Sequence, residues 1–179
     1  MAEDEISQDV MVDYITGKTV ANVGTEEIRQ RVEKYLVEEK GYQKEDISVG
    51  ADIEIDIDGD RYASQLDLVV SVEKKGFMVI KCAAGSLESR EREVISAARI
   101  FASRPLPVAV VSDSKTAVVY DTVSGKKIGK EMESIPSPSE AAVILSAFQP
   151  PETSDKKKQR ERIVFRSYDS MNVNVCRKQ

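Results

Sequence analysis

LDLVVSVEKKGFMVIKC, residues 66–82, decides how this chain reads. Two apolar runs, 66–72 and 77–82, flank the charged turn EKKG at 73–76. Apolar runs bounded by a turn signal form adjacent antiparallel strands. The first run is apolar on both faces and so belongs in the middle of a sheet. Asp67 lies in the first strand and Lys81 in the second. Side chains alternate along a strand, so the register of the turn decides whether these two share a face. A plain four-residue loop at 73–76 pairs Asp67 with Cys82 and turns Lys81 away. A loop of odd length, or a bulge, brings carboxylate and ammonium together, and odd parity is the expectation. Two residues before Lys81, on the same face, stands Val79 rather than an acid.

Outward from this hairpin the pattern is of alternating element types. Ile47, Val49, Ala51, Ile53, Ile55 and Ile57 alternate with polar residues that include Asp52, Glu54, Asp56 and Asp58. That is a strand with one buried face and one acidic face in solvent. Upstream, VMVDYI (10–15) reads as a short strand. Thr25 is placed to cap a helix whose face is Ile28, Val32, Tyr35 and Leu36, and Gly41 ends it. Downstream, 88–102 reads as a helix, with 107–112 and 116–121 as a hairpin. Ser137-Pro138-Ser139-Glu140 combines a capping box with proline at the first helical position, starting a helix at 138. Pro150-Pro151 ends it, 154–162 (SDKKKQRER) reads as a basic linker, and 163–175 as a final strand. An antiparallel 66–82 hairpin followed by a parallel crossover from 82 to 107 makes the fold class α/β, a mixed sheet flanked by helices. The expected organisation is one domain over 1–150, with an acidic tail at 1–9, followed by a linker and strand at 151–179.

Composition narrows the chemistry. The chain has no histidine, which excludes Ser-His and Cys-His nucleophile systems and His-ligated zinc. Any catalysis must use carboxylates, Lys, Tyr or Ser. The acidic start, MAEDEISQDV, has no apolar core of the signal-peptide kind, and no apolar run reaches the ~18 residues of a membrane span. A cytoplasmic location is expected, with Cys82 and Cys176 as free thiols. The net charge of −5 hides an asymmetry. Residues 1–60 carry 17 acidic and 6 basic side chains, leaving 14 acidic and 20 basic in 61–179. The basic half leaves room for a phosphate-facing patch, for which Lys156, Lys157, Lys158 and Arg160 are the candidates.

An Asp and a Lys on neighbouring strands can serve phosphodiester cleavage. Carboxylate oxygens hold Mg²⁺, and the lysine stabilises charge on the phosphate or assists the attacking water. The same pair also arises by chance in sheets, as a strand-start acid and a strand-end lysine stretching to solvent. Residues about 13–128 go further: they resemble the N-terminal domain of the restriction subunit of type I restriction enzymes, a module of the PD-(D/E)xK nuclease superfamily. The matching pieces are DYITGKTV (13–20), TEEIRQRVEKYLVEEKGY (25–42), the Asp67 and Lys81 strands, the 88–102 helix and VVSDSKTAVVYD (110–121). The resemblance implies a restriction-endonuclease-like fold, with Asp67 as metal-binding acid and Lys81 as catalytic lysine. It gives Glu27 the place of an acid on the leading helix. Val79 occupies the position of the second metal ligand, and Ala97 and Phe101 stand where a Gln-x-x-x-Tyr pair is often found.

Some members of the superfamily move the strand acid to the following helix. Glu88, Glu91 and Glu93 begin that helix here, and Glu93 points back toward Lys81 if the 83–87 loop is tight. The expected function is that of a stand-alone domain with a degenerate nuclease site, since the motor that follows in such subunits is not within these residues. It would bind nucleic acid, or dock in a defence or repair assembly, and Mg²⁺ would be held only weakly. The rival readings are an active Mg²⁺-dependent endonuclease using Asp67, Lys81 and Glu93, and an interaction domain with no nucleic-acid role. DNA, a second copy of the chain or a restriction or repair component are the expected partners.

Overall fold

The computed structural model describes residues 9–176, with side chains through Met171. All but the last residue of the acidic segment 1–9 therefore lies outside the described residues. Two short strands, β1 (Val10–Val12) and β2 (Thr19–Ala21), form an antiparallel ribbon. Helix α1 (Glu26–Lys34) follows and widens into a π turn at Tyr35–Glu39 before Gly41, φ 86°, ends it. Thr25 occupies the N-cap without a side-chain hydrogen bond. The apolar face is as expected, with Val32 and Leu36 fully buried and Ile28 and Tyr35 packed beside them.

The sheet is built from β3 (Ile47–Ile57), β4 (Asp60–Val72), β5 (Lys75–Cys82), β6 (Val108–Ser112), β7 (Ala117–Asp121) and β8 (Lys127–Gly129), in that spatial order. Among the described strands only β5 and β6 pair in parallel, and helix α2 (Glu91–Ile100), entered through a 3₁₀ turn at Leu87–Arg90, makes their crossover. Helix α3 (Pro138–Ala147) begins with the Ser137–Glu140 capping box that the sequence announces. One face of the sheet buries Leu68, Val70, Met78 and Ile80 beneath α1 and α3. The other buries Val69, Val79, Ala109 and Val111 beneath α2 and the last helix.

That last helix, α4 (Asp155–Cys176), corrects the sequence reading of 151–179. The β-branched content of 163–175 pointed to a strand, yet the run before it is rich in Lys, Gln, Arg and Glu, which are good helix formers. Ser154 caps the first turn, its Oγ accepting from the Lys157 amide at 3.3 Å. Phe165 and Asp169, four apart and so on one helical face, are both buried. The segment is not an exposed arm: α4 lies along α2 and touches β3.

The 66–82 hairpin also departs from expectation, in an instructive way. Its turn is a two-residue loop, Glu73-Lys74, with φ of 51° and 63°, the type I′ form that suits strand twist. Continued without interruption, that even loop would set Asp67 across from Ile80. A bulge intervenes: Ser71 pairs with Gly76 but Val70 with Met78, so Phe77 is the extra residue. Beyond it Leu68 faces Ile80, and the next position along puts Asp67 across from Lys81. Expected parity fails, and the bulge restores the shared face.

Candidate functional site

Asp67 sits where the ladder between β3 and β4 changes character. The position across from it is Gly50, φ 60°, a conformation that glycine adopts freely and other residues rarely do. Ile47 and Val49, before Gly50, pack into the core beneath α1, whereas Ile53 and Ile55, after it, pack into the core beneath α4. Asp67 Oδ2 accepts the Cys82 amide at 2.7 Å, so the carboxylate ties the end of β5 to β4. The same oxygen lies 3.6 Å from Lys81 Nζ.

The third member arrives from α2. Glu93 lies in the first turn of that helix, where the dipole favours a carboxylate. Its Oε1 is 3.3 Å from Lys81 Nζ and its Oε2 is 3.4 Å from Arg90 Nη1. The Glu93 side chain is 3% exposed, against 20% for Lys81 and 22% for Asp67. The tight connection after β5 places it there: the Ala83 amide donates to the Ser112 carbonyl and holds the chain against the end of β6. Burial alone would pull the Lys81 pKa down, but Asp67 and Glu93 outweigh it and hold the ammonium above the ordinary lysine value. Burial pushes Asp67 up, opposed by Lys81 and the Cys82 amide.

Val79, at the strand position of the missing acid, is 2% exposed and part of the α2-side core. Glu27 does not join the site. It is 57% exposed, pairs with Arg31 at 3.4 Å and accepts from Asn22. The carboxylates of α1 that turn inward are Glu26 and Glu33, which converge with Asp13 on Arg29. Arg29 Nη1 is 2.8 Å from Asp13 Oδ2 and 2.5 Å from Glu33 Oε1, close enough to the strands for its charge to act on Asp67. Burial pushes the Glu33 carboxyl up to about 7, against the pull of Arg29. This brace went unnoticed in the sequence, although three of its members are the Glu, Arg and Glu of EEIRQRVE (26–33), spaced on one helical face.

Asp67, Lys81, Glu93 and Val79 line one small cavity with Gln65, Ala97, Phe165 and Asp169. Its volume is about 10 Å³, room for roughly one water. The last two lining residues come from α4, and Asp169 Oδ2 accepts the Tyr62 hydroxyl at 2.6 Å. The basic candidates Lys156, Lys157, Lys158 and Arg160 are exposed along the first turns of α4, apart from this cavity.

A mixed α/β sheet carrying a carboxylate and a lysine on adjacent strands, joined by an acid from the crossover helix, defines the architectural class. The family described as "Type I restriction enzyme R protein N terminus (HSDR_N)" matches residues 24–136, and the chain belongs to that family. No curated protein matches. Among solved structures, the fragment of a putative HsdR subunit of a type I restriction enzyme from Vibrio vulnificus YJ016 is similar in fold, with a TM-score of 0.54 at 12% identity. The similarity covers 70% of this chain and 26% of that one, so the chain spans about a quarter of the solved fragment. Among the described residues, no helix is long and apolar enough to cross a membrane.

Proposed function

We propose that this domain handles nucleic acid through a PD-(D/E)xK-type site whose second acid has moved from the strand to the helix. Asp67, Lys81 and Glu93 are that site, and it favours binding over efficient cleavage. The observation that carries the reading is the Glu93 carboxylate, 3.3 Å from Lys81 and almost fully buried, beside a strand position that Val79 gives to the core. Membership in the R-protein family supports DNA and the other components of a restriction assembly as partners. Lys156, Lys157, Lys158 and Arg160 add exposed cations that suit phosphate contact.

Asp67 and Glu93 are hard oxygen donors of the kind Mg²⁺ takes, and with substrate phosphate oxygens they would hold the ion. Two carboxylates are fewer oxygen donors than Mg²⁺ takes, so without substrate phosphate that binding is weak. When bound, the ion supplies charge neutralisation at the phosphate and a more acidic water. Lys81 spans both carboxylates and Arg90 also pairs with Glu93, so two cations offset the two negative charges and leave little to draw a further cation in.

The test is DNA binding by fluorescence anisotropy over a range of salt, with cleavage in Mg²⁺ or Mn²⁺ scored on the same samples. Salt-dependent binding, weakened in Lys81→Met and unaccompanied by nicking, is the expected result. The second reading, an active endonuclease, draws on the same Glu93 placement. Robust Mg²⁺-dependent nicking by the unaltered chain, abolished by Asp67→Ala, would establish it instead.

A further inference from the structure

We infer that α4 is an internal cover on this site, with Asp169 standing where a substrate phosphate oxygen belongs. The inference rests on the nucleic-acid reading of Asp67, Lys81 and Glu93 and adds how access to them is controlled. Three observations converge on it. The cavity is closed from the α4 side by Phe165 and Asp169, and its single-water volume leaves no space for a nucleotide while they are in place. Asp169 is buried, brings a third carboxylate to a cavity whose lysine the mechanism needs for phosphate, and is held there by the Tyr62 hydroxyl at 2.6 Å. The Asp169 charge also favours the Lys81 ammonium, less than Asp67 and Glu93 do.

The way α4 is attached suits a removable part. Among its described side chains, Phe165 is the one that enters the apolar core, while Ile163 and Met171 stay largely exposed. The rest of its seat is polar. Glu161 accepts from Ser96 at 2.8 Å and from Arg99 at 2.7 Å, Arg166 pairs with Asp60 at 2.6 Å, and Gln159 reaches Asp58. Water can replace each of those partners on opening. Its connection to the domain, QPPETS at 149–154, is free of regular structure. The N-terminal half of α4 is strongly basic, so a nucleic acid that engages Lys156, Lys157 and Lys158 approaches the helix it has to lift. Phosphate and the Asp169 carboxylate then compete for Lys81.

Three variants of the full chain test this by anisotropy with a labelled DNA duplex and a labelled single strand, alongside hydrogen exchange of the α4 amides. Phe165→Ala removes the plug without changing charge, Asp169→Asn removes the proposed phosphate stand-in, and Lys81→Met is placed in each background. The expected result is a gain in DNA affinity of tenfold or more in Phe165→Ala and in Asp169→Asn. Exchange in α4 should be faster in Phe165→Ala, and both gains should vanish with Lys81→Met. Adding DNA to the unaltered protein should also speed exchange at 163–171. If Phe165→Ala frees α4 by exchange yet binds DNA as the unaltered chain does, the cover is overturned and the nucleic-acid reading stands. A gain that survives Lys81→Met overturns the competition for Lys81. DNA binding by none of the proteins overturns both readings together.

Discussion

Returning an acid to position 79 makes the most informative single perturbation. Val79 is 2% exposed, lies two residues before Lys81 on the same strand face, and lines the same cavity as Asp67 and Glu93. Val79→Glu therefore loses about 1.5–3 kcal/mol of apolar burial. It also adds a carboxylate to a cavity where Asp67 and Glu93 already share one lysine and which Asp169 also lines, and like charges in a buried site drive one of them to keep its proton. A stability loss on the order of 3 kcal/mol in metal-free buffer follows, smaller at pH 5 than at pH 8 because the new carboxyl is protonated at the lower pH. A carboxylate at position 79, converging with Asp67 and Glu93, gives a divalent ion a ligand that those two alone do not. A ligand at a hundred times its Kd returns about 2.7 kcal/mol, so Mg²⁺ or Mn²⁺ should restore most of the loss. The assay is chemical denaturation of the variant with and without divalent ion, with Asp67→Asn added as a control that should cancel the metal effect. A variant whose stability ignores divalent ions, or unaltered protein that gains just as much from them, would refute the placement of these residues in one site.

Other consequences are sharper than they are large. Burial raises Glu33 from its ordinary 4.5 to about 7, so the folded state keeps a proton that the unfolded chain releases in between. Stability should therefore fall as pH rises from about 4.5 to 7, by on the order of 3 kcal/mol at most, and Glu33→Gln should flatten that slope in denaturant titrations at pH 5, 6, 7 and 8. An unchanged slope would remove Glu33 as its source. Glu27→Ala should leave stability within about 0.5 kcal/mol and DNA binding intact, because Glu27 is a solvent-facing partner of Arg31; a loss of binding would bring α1 into the site after all. Replacing Lys156, Lys157, Lys158 and Arg160 with Gln should reduce the log–log salt slope of DNA binding by up to about 3–4. A slope that does not move would assign phosphate contact to another surface.

The parts of the fold that local physics determines were legible. Strict alternation over 47–57 marked β3, the Ser137–Glu140 capping box marked the start of α3, and the doubly apolar 66–72 run marked a central strand. What was hidden depended on contacts distant in sequence. The bulge at Phe77 leaves no local signature, because an apolar residue looks the same whether or not it has a ladder partner; its burial in the core is what sustains it. Residues 163–175 carry β-branched side chains that favour a strand, and what spoke for a helix was the run of helix formers before them, the Ser154 cap and the four-residue spacing of Phe165 and Asp169. In the site, Asp67 and Lys81 could be named from their strands, but counting register did not pair them, because the loop is even and the bulge at Phe77 is what sets them on one face. Glu93 could be nominated but not chosen from among Glu88, Glu91 and Glu93, since the choice depends on how tightly the chain leaves β5. Glu88 turned out to pair with Lys127 at the surface. The bond from Tyr62 to Asp169 spans 107 residues, and no pattern in the chain connects them.

The most direct test of the central claim is paramagnetic broadening of backbone amide resonances by substoichiometric Mn²⁺. If Asp67 and Glu93 are the carboxylates of a nuclease-type site, loss of signal should centre on Asp67, Lys81, Cys82 and Glu93, and Asp67→Asn should abolish it. Broadening centred instead on the exposed acidic row of β3, at Asp52, Glu54 and Asp56, with the Lys81 and Glu93 amides unaffected, would contradict the account.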